Sequence, residues 1–171
     1  MATRARIGLQ KEDGTIIASY QHWDGYPGGL GYNLEDHWTD VRKVAEAIEL
    51  GNSSKWGQFI GTKIDFDDRD CETYEYQNVY YMRDRGEKDQ EARVYKDEAD
   101  YLANGFNTGE EYIYLMKVDT GKTDYLGKAR GEWFYADYNN QTMKPLEADA
   151  IHEHIEMLKR HLEMMKERKV A

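Results

Sequence analysis

Cysteine is scarce in this sequence. Cys71 is the single cysteine, so no disulfide can form within the chain. Structural disulfides are rare in reducing compartments, and we therefore expect a cytoplasmic protein that is stabilised by packing alone. Cys71 has no evident activating neighbour in the sequence and is not predicted to be a nucleophile.

Long apolar runs are also lacking. The longest, such as residues 112–116, fall far short of the roughly 18 residues that a membrane-spanning helix needs. The N-terminal residues contain no apolar core of the kind found in signal peptides. We therefore expect neither membrane insertion nor secretion.

Positive charge is in the minority. The chain has 23 basic and 33 acidic residues, a net charge of -10, which disfavours direct binding to nucleic acid. Residues 63–100 hold 7 Lys or Arg against 13 Asp or Glu, so more than half of the excess lies in this segment. A solvated acidic face is the favoured interpretation, and electrostatic mimicry of nucleic acid is the alternative.

Strand and helix patterns together predict a single α+β domain, in which helices pack on an antiparallel β-sheet. Short strands at 5–9 and 16–20 flank Asp13-Gly14, a pair typical of a hairpin. Apolar residues at helical spacing before Gly51 predict a first helix over 35–50. Further strands are predicted at 74–82, 93–95, 111–118 and 131–138, and a short helix at 97–104.

The last predicted element is a long amphipathic helix over about residues 147–169. Its apolar seam repeats at spacings of 4, 3, 4 and 3 residues: Ile151, Ile155, Leu158, Leu162 and Met165. We expect this seam to pack across the sheet, and a homodimer formed through the helix is the alternative. His154 and His161 lie two turns apart, which suits boundary positions better than metal ligands.

The strongest candidate for a binding site is the segment 20–31, which contains the HWDGYP loop (residues 22–27). Its four glycines match neither the dinucleotide fingerprint nor a Walker loop. His22 and Asp24 could serve in proton transfer, and Trp23 and Tyr26 could stack on a ligand ring. The alternative is a structural loop whose glycines adopt positive φ.

Four arginines are further candidates for ligand binding: Arg4, Arg6, Arg83 and Arg85. Guanidinium groups present forked donors that suit phosphate and carboxylate. If the four converge near the HWDGYP loop, an anionic aromatic ligand such as a nucleotide is expected. The alternative for Arg83 and Arg85 is ion pairing with the aspartate-rich segment 65–70.

An acidic cluster raises the question of a metal site. Asp65, Asp67, Asp68 and Asp70 superficially resemble a calcium-binding loop, but Arg69 stands where that loop needs an oxygen ligand. We therefore expect an exposed acidic turn, and the sequence predicts no metal site and no cofactor.

Several motifs together suggest a family. Thr3-Arg4-Ala5, the HWDGYP loop followed by Gly31, Leu50-Gly51, the segment 65–69 and the RDRGE segment (residues 83–87) resemble small uncharacterised proteins of bacteriophages and prophages. The resemblance covers about the first half of the chain. It implies a phage-type origin, and it implies no particular activity.

Phage accessory proteins often act on host machinery, and three functions remain open on this basis. The first is a non-catalytic binding protein that sequesters a small nucleotide-like ligand or a host signal. The second is an acidic inhibitor of a host defence enzyme, which would use the acidic segment or the last helix for contact. The third is a small hydrolase or transferase that uses His22 and Asp24.

Overall fold

The computed structural model describes residues 2–170. Within this range eight strands form one sheet: β1 (Ala5–Gln10), β2 (Ile16–Gln21), β3 (Ser53–Lys55), β4 (Val79–Tyr80), β5 (Arg93–Tyr95), β6 (Tyr112–Lys117), β7 (Glu132–Asp137) and β8 (Lys144–Pro145). The α-helices are α1 (Tyr32–His37), α2 (Val41–Glu49), α3 (Tyr81–Arg85), α4 (Glu98–Asn107) and α5 (Glu147–Val170). Short helical turns occupy Pro27–Gly31, Phe66–Asp68 and Glu72–Tyr74.

The strand order is β4-β3-β2-β1-β6-β7-β8, and β5 also pairs with β2. β1 covers one edge of β2, so β3 and β5 share the other edge. The predicted hairpin between β1 and β2 is confirmed. Its turn contains Gly14 at φ +87°, a conformation that glycine adopts without strain.

The sheet is mixed rather than purely antiparallel. β1 pairs with β6 in parallel, and β3 joins β2 in parallel. Parallel neighbours need a long crossover between them. The chain makes the first crossover through α4 and the second through α1 and α2. The predicted α+β domain with a long C-terminal helix is confirmed, and these two crossovers complete its topology.

Helices cover both faces of the sheet. On one face Ile7, Tyr114 and Trp133 pack with the buried residues of α1 and α2. On the other face the strand residues include Ile16 and Ile113, and the helix α4 supplies Tyr101 and Phe106. The alternation of side chains along each strand separates the two sets. The sheet is therefore the middle layer of the domain.

The predicted helix over 35–50 is wrong in one respect, because the chain forms two helices there. α1 ends before Trp38, whose ring is fully buried and whose Nε1 donates to the carbonyl of Gly57 at 2.8 Å. Asp40 then caps α2 by accepting from the backbone N–H of Arg42 at 2.9 Å. An N-cap carboxylate satisfies donors that a helix leaves unpaired. The burial of Trp38 and this cap divide the helix.

The predicted tyrosine-rich strand over 74–82 is also wrong. Only Val79–Tyr80 is a strand, and the chain enters α3 directly afterwards. The buried Asp84 explains the turn, since its carboxylate accepts from the backbone N–H of Tyr80 at 2.8 Å and of Ile64 at 3.0 Å. The hydrogen bond between the Tyr80 backbone and the Asp84 side chain joins residues four positions apart, which favours a helical turn over a strand.

The predicted C-terminal helix is confirmed, but the face that it packs was not foreseen. α5 docks through Ala150, His154 and Met157 rather than through its apolar seam. The His154 ring stacks on Tyr32 with centroids 3.7 Å apart, and its Nδ1 lies 3.0 Å from the carbonyl oxygen of Gly28. The five seam residues are 40–56% exposed. The expectation that the seam covers the sheet is therefore wrong.

The second half of α5 extends beyond the domain. Every residue from 158 to 170 is exposed. Across residues 2–170, no helix combines the length and the apolar character needed to cross a membrane.

Candidate functional site

The HWDGYP loop continues directly from β2 and is fixed by backbone hydrogen bonds. The N–H of His22 donates to Ser53 at 3.1 Å, and that of Trp23 donates to Ser54 at 3.0 Å. Asp24 then turns the chain with φ +57°, an uncommon conformation for a residue other than glycine. The Tyr114 hydroxyl holds the next residue by donating to the carbonyl of Gly25 at 2.6 Å. The loop is thus a rigid part of the fold.

The glycines of the segment allow close packing rather than positive φ. None of Gly25, Gly28, Gly29 and Gly31 has positive φ. A Cβ on Gly25 would lie 2.6 Å from the carbonyl oxygen of Thr3, and one on Gly28 would lie 2.7 Å from the Met157 sulfur. The interpretation that the loop needs glycine for positive φ is wrong, because contacts with the N-terminal strand and with α5 require it instead.

Trp23, Asp24 and Tyr26 line a cleft of about 330 Å³, which we call the loop cleft. Its charged side chains are Asp24, Glu75 and Lys55, so its net charge is not positive. The Nζ of Lys55 faces backbone carbonyls, including that of Tyr74 at 3.3 Å. The loop cleft therefore has no obvious group for holding an anion.

Two buried polar atoms below the loop cleft lack partners. The Oε1 of Gln21 and the Nε1 of Trp56 make no hydrogen bond to any residue between 2 and 170. Both residues contribute to the lining of the cleft. Each atom has almost no accessible surface, so neither can contact a ligand without a local shift.

The His22 ring forms its hydrogen bond with Tyr20 and not with Asp24. Its Nδ1 lies 2.6 Å from the hydroxyl of Tyr20. Burial raises the pKa of Tyr20 to about 12, so this phenol keeps its proton and can donate it to Nδ1. Burial, assisted by the charge of Arg4, lowers the pKa of His22, which favours a neutral ring. Within residues 2–170 no hydrogen bond joins His22 to Asp24, so the two do not form an acid–base pair.

A second cleft, of about 300 Å³, lies beside Tyr20 and contains three arginines: Arg4, Arg6 and Arg93. We call it the arginine cleft. The strand register explains the cluster. Arg6 lies opposite Tyr20 on β1, and Arg93 lies opposite Ala18 on β5. Ala18 and Tyr20 are two residues apart on β2, so they and their partners share one face of the sheet.

Arg6 forms the floor of the arginine cleft and is fully engaged. Its Nη2 lies 2.6 Å from Oε1 of Glu110, and its Nη1 donates to Tyr95 and Asn104 at 2.6 and 2.8 Å. A further bond to Thr108 measures 2.9 Å. This guanidinium has little capacity left for a ligand. Arg6 was predicted to bind a ligand near the HWDGYP loop, but it lines the arginine cleft instead, where its hydrogen bonds hold protein groups together.

Arg4 and Arg93 are different, because both are exposed and both retain their donors. Among residues 2–170, neither side chain has a hydrogen-bond acceptor or an acidic partner. The cleft holds three arginines against the single acid Glu110, a local balance of +2 in a chain of net charge -10. The arginine cleft is thus a positive site on a negative protein.

Arg83 and Arg85 do not join this site. Arg83 donates from Nε to Asp84 at 2.9 Å and from Nη2 to the carbonyl of Asn78 at 2.8 Å. Arg85 pairs with Glu87 and lies over the ring of Tyr81 at 4.5 Å. The expected convergence of four arginines on the HWDGYP loop is therefore wrong. Both arginines form ion pairs, but with Asp84 and Glu87 rather than with the aspartate-rich segment that was the alternative.

Arg93 is the site residue that the sequence analysis missed. The strand that contains Arg93 was predicted. Its pairing with β2, which places Arg93 in the same cleft as Arg6, was not predicted. The paired residues of β2 and β5 are 75 to 79 positions apart in the sequence, and no local pattern indicates this pairing.

The acidic cluster behaves as an exposed turn. Asp65 caps the turn Phe66–Asp68 by accepting from the N–H of Asp67 at 3.0 Å. In the part of the chain that the structure describes, no group of three or more His, Cys, Asp or Glu is arranged to hold a metal ion.

Comparisons with known proteins do not supply a function. No protein-family model matches the sequence, and neither curated proteins nor solved structures include a similar chain. The features of the molecule that bear on its function are therefore the two clefts and the surface.

Proposed function

We propose that the protein is a non-catalytic binding protein that holds a small anionic ligand in the arginine cleft. The observation that supports this is the pair of guanidinium groups, Arg4 and Arg93, which have no acidic partner among residues 2–170 although the chain has ten more acids than bases. An unpaired arginine pair in a concave site is suited to phosphate or carboxylate, which accept two parallel hydrogen bonds from each fork.

The size and lining of the cleft suggest a nucleotide-like ligand. A volume of about 300 Å³ lies at the small end of the range for ligand pockets. The half-buried ring of Tyr20 lines the same cleft and offers flat apolar surface beside the two guanidiniums, whereas the ring of Tyr95 is buried under Arg6. A phosphate between Arg4 and Arg93 and a base against a tyrosine ring would use both features.

The biological setting is part of the same proposal. The motifs that resemble phage and prophage proteins suggest an accessory protein that acts in the host cytoplasm, where it would sequester a host metabolite or signal. The single, exposed Cys71 is compatible with a reducing compartment.

An acidic inhibitor of a host enzyme is the second candidate. The surface between residues 65 and 76 supports it, because this segment exposes a row of carboxylates: Asp65, Asp67, Asp68, Asp70, Glu72 and Glu75. Two exposed aromatic residues, Phe59 and Tyr76, are joined nearby through backbone hydrogen bonds. Acidic and aromatic groups side by side suit a contact with a basic protein surface.

The geometry gives no support to a hydrolase that uses His22 and Asp24.

The proposal is tested by native mass spectrometry of the purified protein beside a denatured control, followed by calorimetric titration. The titrants are inorganic phosphate, a nucleoside monophosphate and the corresponding nucleoside. Arg4→Gln and Arg93→Gln each remove one charged donor group, and the matched control is Arg160→Gln on the solvent side of α5. Loss of a charge-assisted contact corresponds to roughly 10- to 100-fold in affinity.

Anion binding that weakens in both cleft variants, and not in Arg160→Gln, would support the proposal. A nucleoside that binds as well as its phosphate would contradict it. The absence of any adduct and of any titration heat would favour the acidic inhibitor instead.

A further inference from the structure

The apolar seam of α5 is exposed, although its first residue, Ile151, also borders a cleft of the domain beside Trp133. Its members are Ile151, Ile155, Leu158, Leu162 and Met165, and the least exposed of them, Ile151, is 40% exposed. The helix docks on the domain through the side that carries Ala150, His154 and Met157. The seam therefore remains free while the helix itself is already folded and anchored.

The seam has the width of a coiled-coil interface. At about 100° per residue, its five side chains span about 80° of the helix surface, which is narrower than the stripe of roughly 100° or more on helices that lie on a core. Spacings of 4, 3, 4 and 3 are those of a and d positions in a heptad. No Trp, Phe or Tyr occurs in Glu147–Val170, although helices that lie in a membrane interface commonly carry them.

The flanks of the seam carry two lysines and an arginine of the helix. With Ile155 and Leu162 at a positions, one flank consists of His152, Lys159 and Lys166, and the other of Glu147, His154, His161 and Arg168, of which His154 is held against Tyr32. The remaining acids of Glu147–Val170 lie on the opposite side: Asp149, Glu153, Glu156, Glu163 and Glu167. Flanking e and g residues determine which partner a coiled coil accepts. This pattern therefore specifies a partner.

A second copy of the chain does not satisfy the pattern. In a parallel pair each flank would face the other flank, and in an antiparallel pair each would face itself. Lys159 and Lys166 would meet His154 and His161 in the first arrangement, where neither lysine finds an acid, and would meet each other in the second. Like charges at these positions are destabilising.

We propose that the seam binds an amphipathic helix of another protein, with apolar a and d residues flanked by Asp or Glu. The seam and its two flanks form a short heterotypic coiled coil with that helix. Lys159 and Lys166 now contact Glu156 and Glu163 at 3.2 and 3.4 Å, but such exposed pairs contribute little and are readily exchanged. The inference does not depend on ligand binding in the arginine cleft.

The test uses the full chain and two synthetic helical peptides of four heptads. Both peptides have Ile at a and Leu at d; one has Glu at every e and g position, and the other has Lys there. Binding is measured by calorimetry and by circular dichroism. Leu162→Glu interrupts the seam, and Met164→Glu is the matched control, because the two side chains are 53% and 52% exposed and lie on different sides of the helix.

We expect micromolar binding of the Glu-flanked peptide and at least tenfold weaker binding of the Lys-flanked peptide. Leu162→Glu should abolish the binding, and Met164→Glu should preserve it. The double variant Lys159→Glu/Lys166→Glu should reverse the preference between the peptides.

Three results would overturn the inference. The first is equal binding, or no binding, of the two peptides. The second is a dimer in sedimentation equilibrium that Leu162→Glu dissociates. The third is binding to vesicles of anionic phospholipid that depends on Leu162 while the Glu-flanked peptide fails to bind.

Discussion

The Nη2 of Arg6 lies 2.6 Å from the Oε1 of Glu110, and the two side chains are 9% and 3% exposed. The pair connects β1 to the loop after α4. Removing one partner of a buried ion pair leaves an uncompensated charge, which commonly costs about 3–5 kcal/mol. Replacing one partner of this pair is therefore expected to be among the most destabilising changes at a polar residue of the protein.

Glu110→Gln should lower the free energy of unfolding by roughly 3 kcal/mol or more. Glu87→Gln is the matched control, because Glu87 also pairs with an arginine, Arg85, but at an exposed position. An exposed pair contributes at most about 1 kcal/mol. Urea denaturation of both variants measures the difference, and equal losses would contradict the assignment.

Glu35 should make stability depend on pH. Burial raises its pKa from 4.5 to about 7, although Arg130 lies 3.0 Å away. The native state therefore binds more protons than the unfolded state between these values, and this contribution to stability falls as pH rises through the window. In Glu35→Gln this loss of stability with rising pH should be absent. The stability of wild type relative to the variant should drop by up to roughly 3 kcal/mol between pH 5 and pH 8.

His22 provides the opposite slope for comparison. Its pKa is lowered by burial, so the unfolded state binds more protons just below 6.5, and stability is lost as pH falls. His22→Gln should remove that loss at acid pH and leave the Glu35 effect in place. Urea titrations at a series of pH values distinguish the two groups, and parallel curves for all variants would contradict both assignments.

His154 should anchor α5, and His161 should not. His154 stacks on Tyr32 and bonds to Gly28, whereas His161 is exposed one heptad later on the same side. His154→Ala should cost roughly 1–2 kcal/mol, from one aromatic contact and one hydrogen bond. Amide hydrogen exchange should speed up in the first half of α5 in that variant alone. Equal exchange in His161→Ala would indicate that the helix is held by other contacts.

Removal of residues 158–170 should leave the domain stable. All thirteen are exposed, and changes at exposed positions usually alter stability by less than about 0.5 kcal/mol. We expect the thermal midpoint to move by no more than about 2 °C. A truncation that also removes Ala150 and Met157 takes away the docked side and should destabilise the protein. A large loss in the shorter truncation would mean that the extension folds back on the domain in solution.

Local signals were sufficient for elements whose structure is set within a few residues. Asp13-Gly14 predicted the hairpin, and the heptad spacing predicted α5 within about a residue of its bounds. The sequence could not say what covers an apolar face. The apolar spacing of the α5 seam is the same whether the seam packs on a sheet, on a second helix or faces water. The contact of His154 with Tyr32 fixes which side of the helix packs on the domain.

The candidate site was only partly predictable for a related reason. The sequence indicated guanidinium groups, but their availability depends on acids that are distant in the chain. Arg6 is neutralised by a residue 104 positions away, whereas Arg83 is neutralised by its immediate neighbour. Arg4 and Arg93 remain available because Glu110, the acid of their cleft, pairs with Arg6, and no other carboxylate within residues 2–170 pairs with them.

The parallel pairing of β1 with β6 also has a consequence for synthesis of the chain. β1 lies in the middle of the sheet, yet its neighbour begins at Tyr112, more than a hundred residues later. While a ribosome is making this protein, Ile7 and Leu9 lack that neighbour until about two thirds of the chain has emerged. Contacts of such wide sequence separation form late and slowly. β1 can therefore pair with β6 only in the last third of translation, although β1 is among the first residues made.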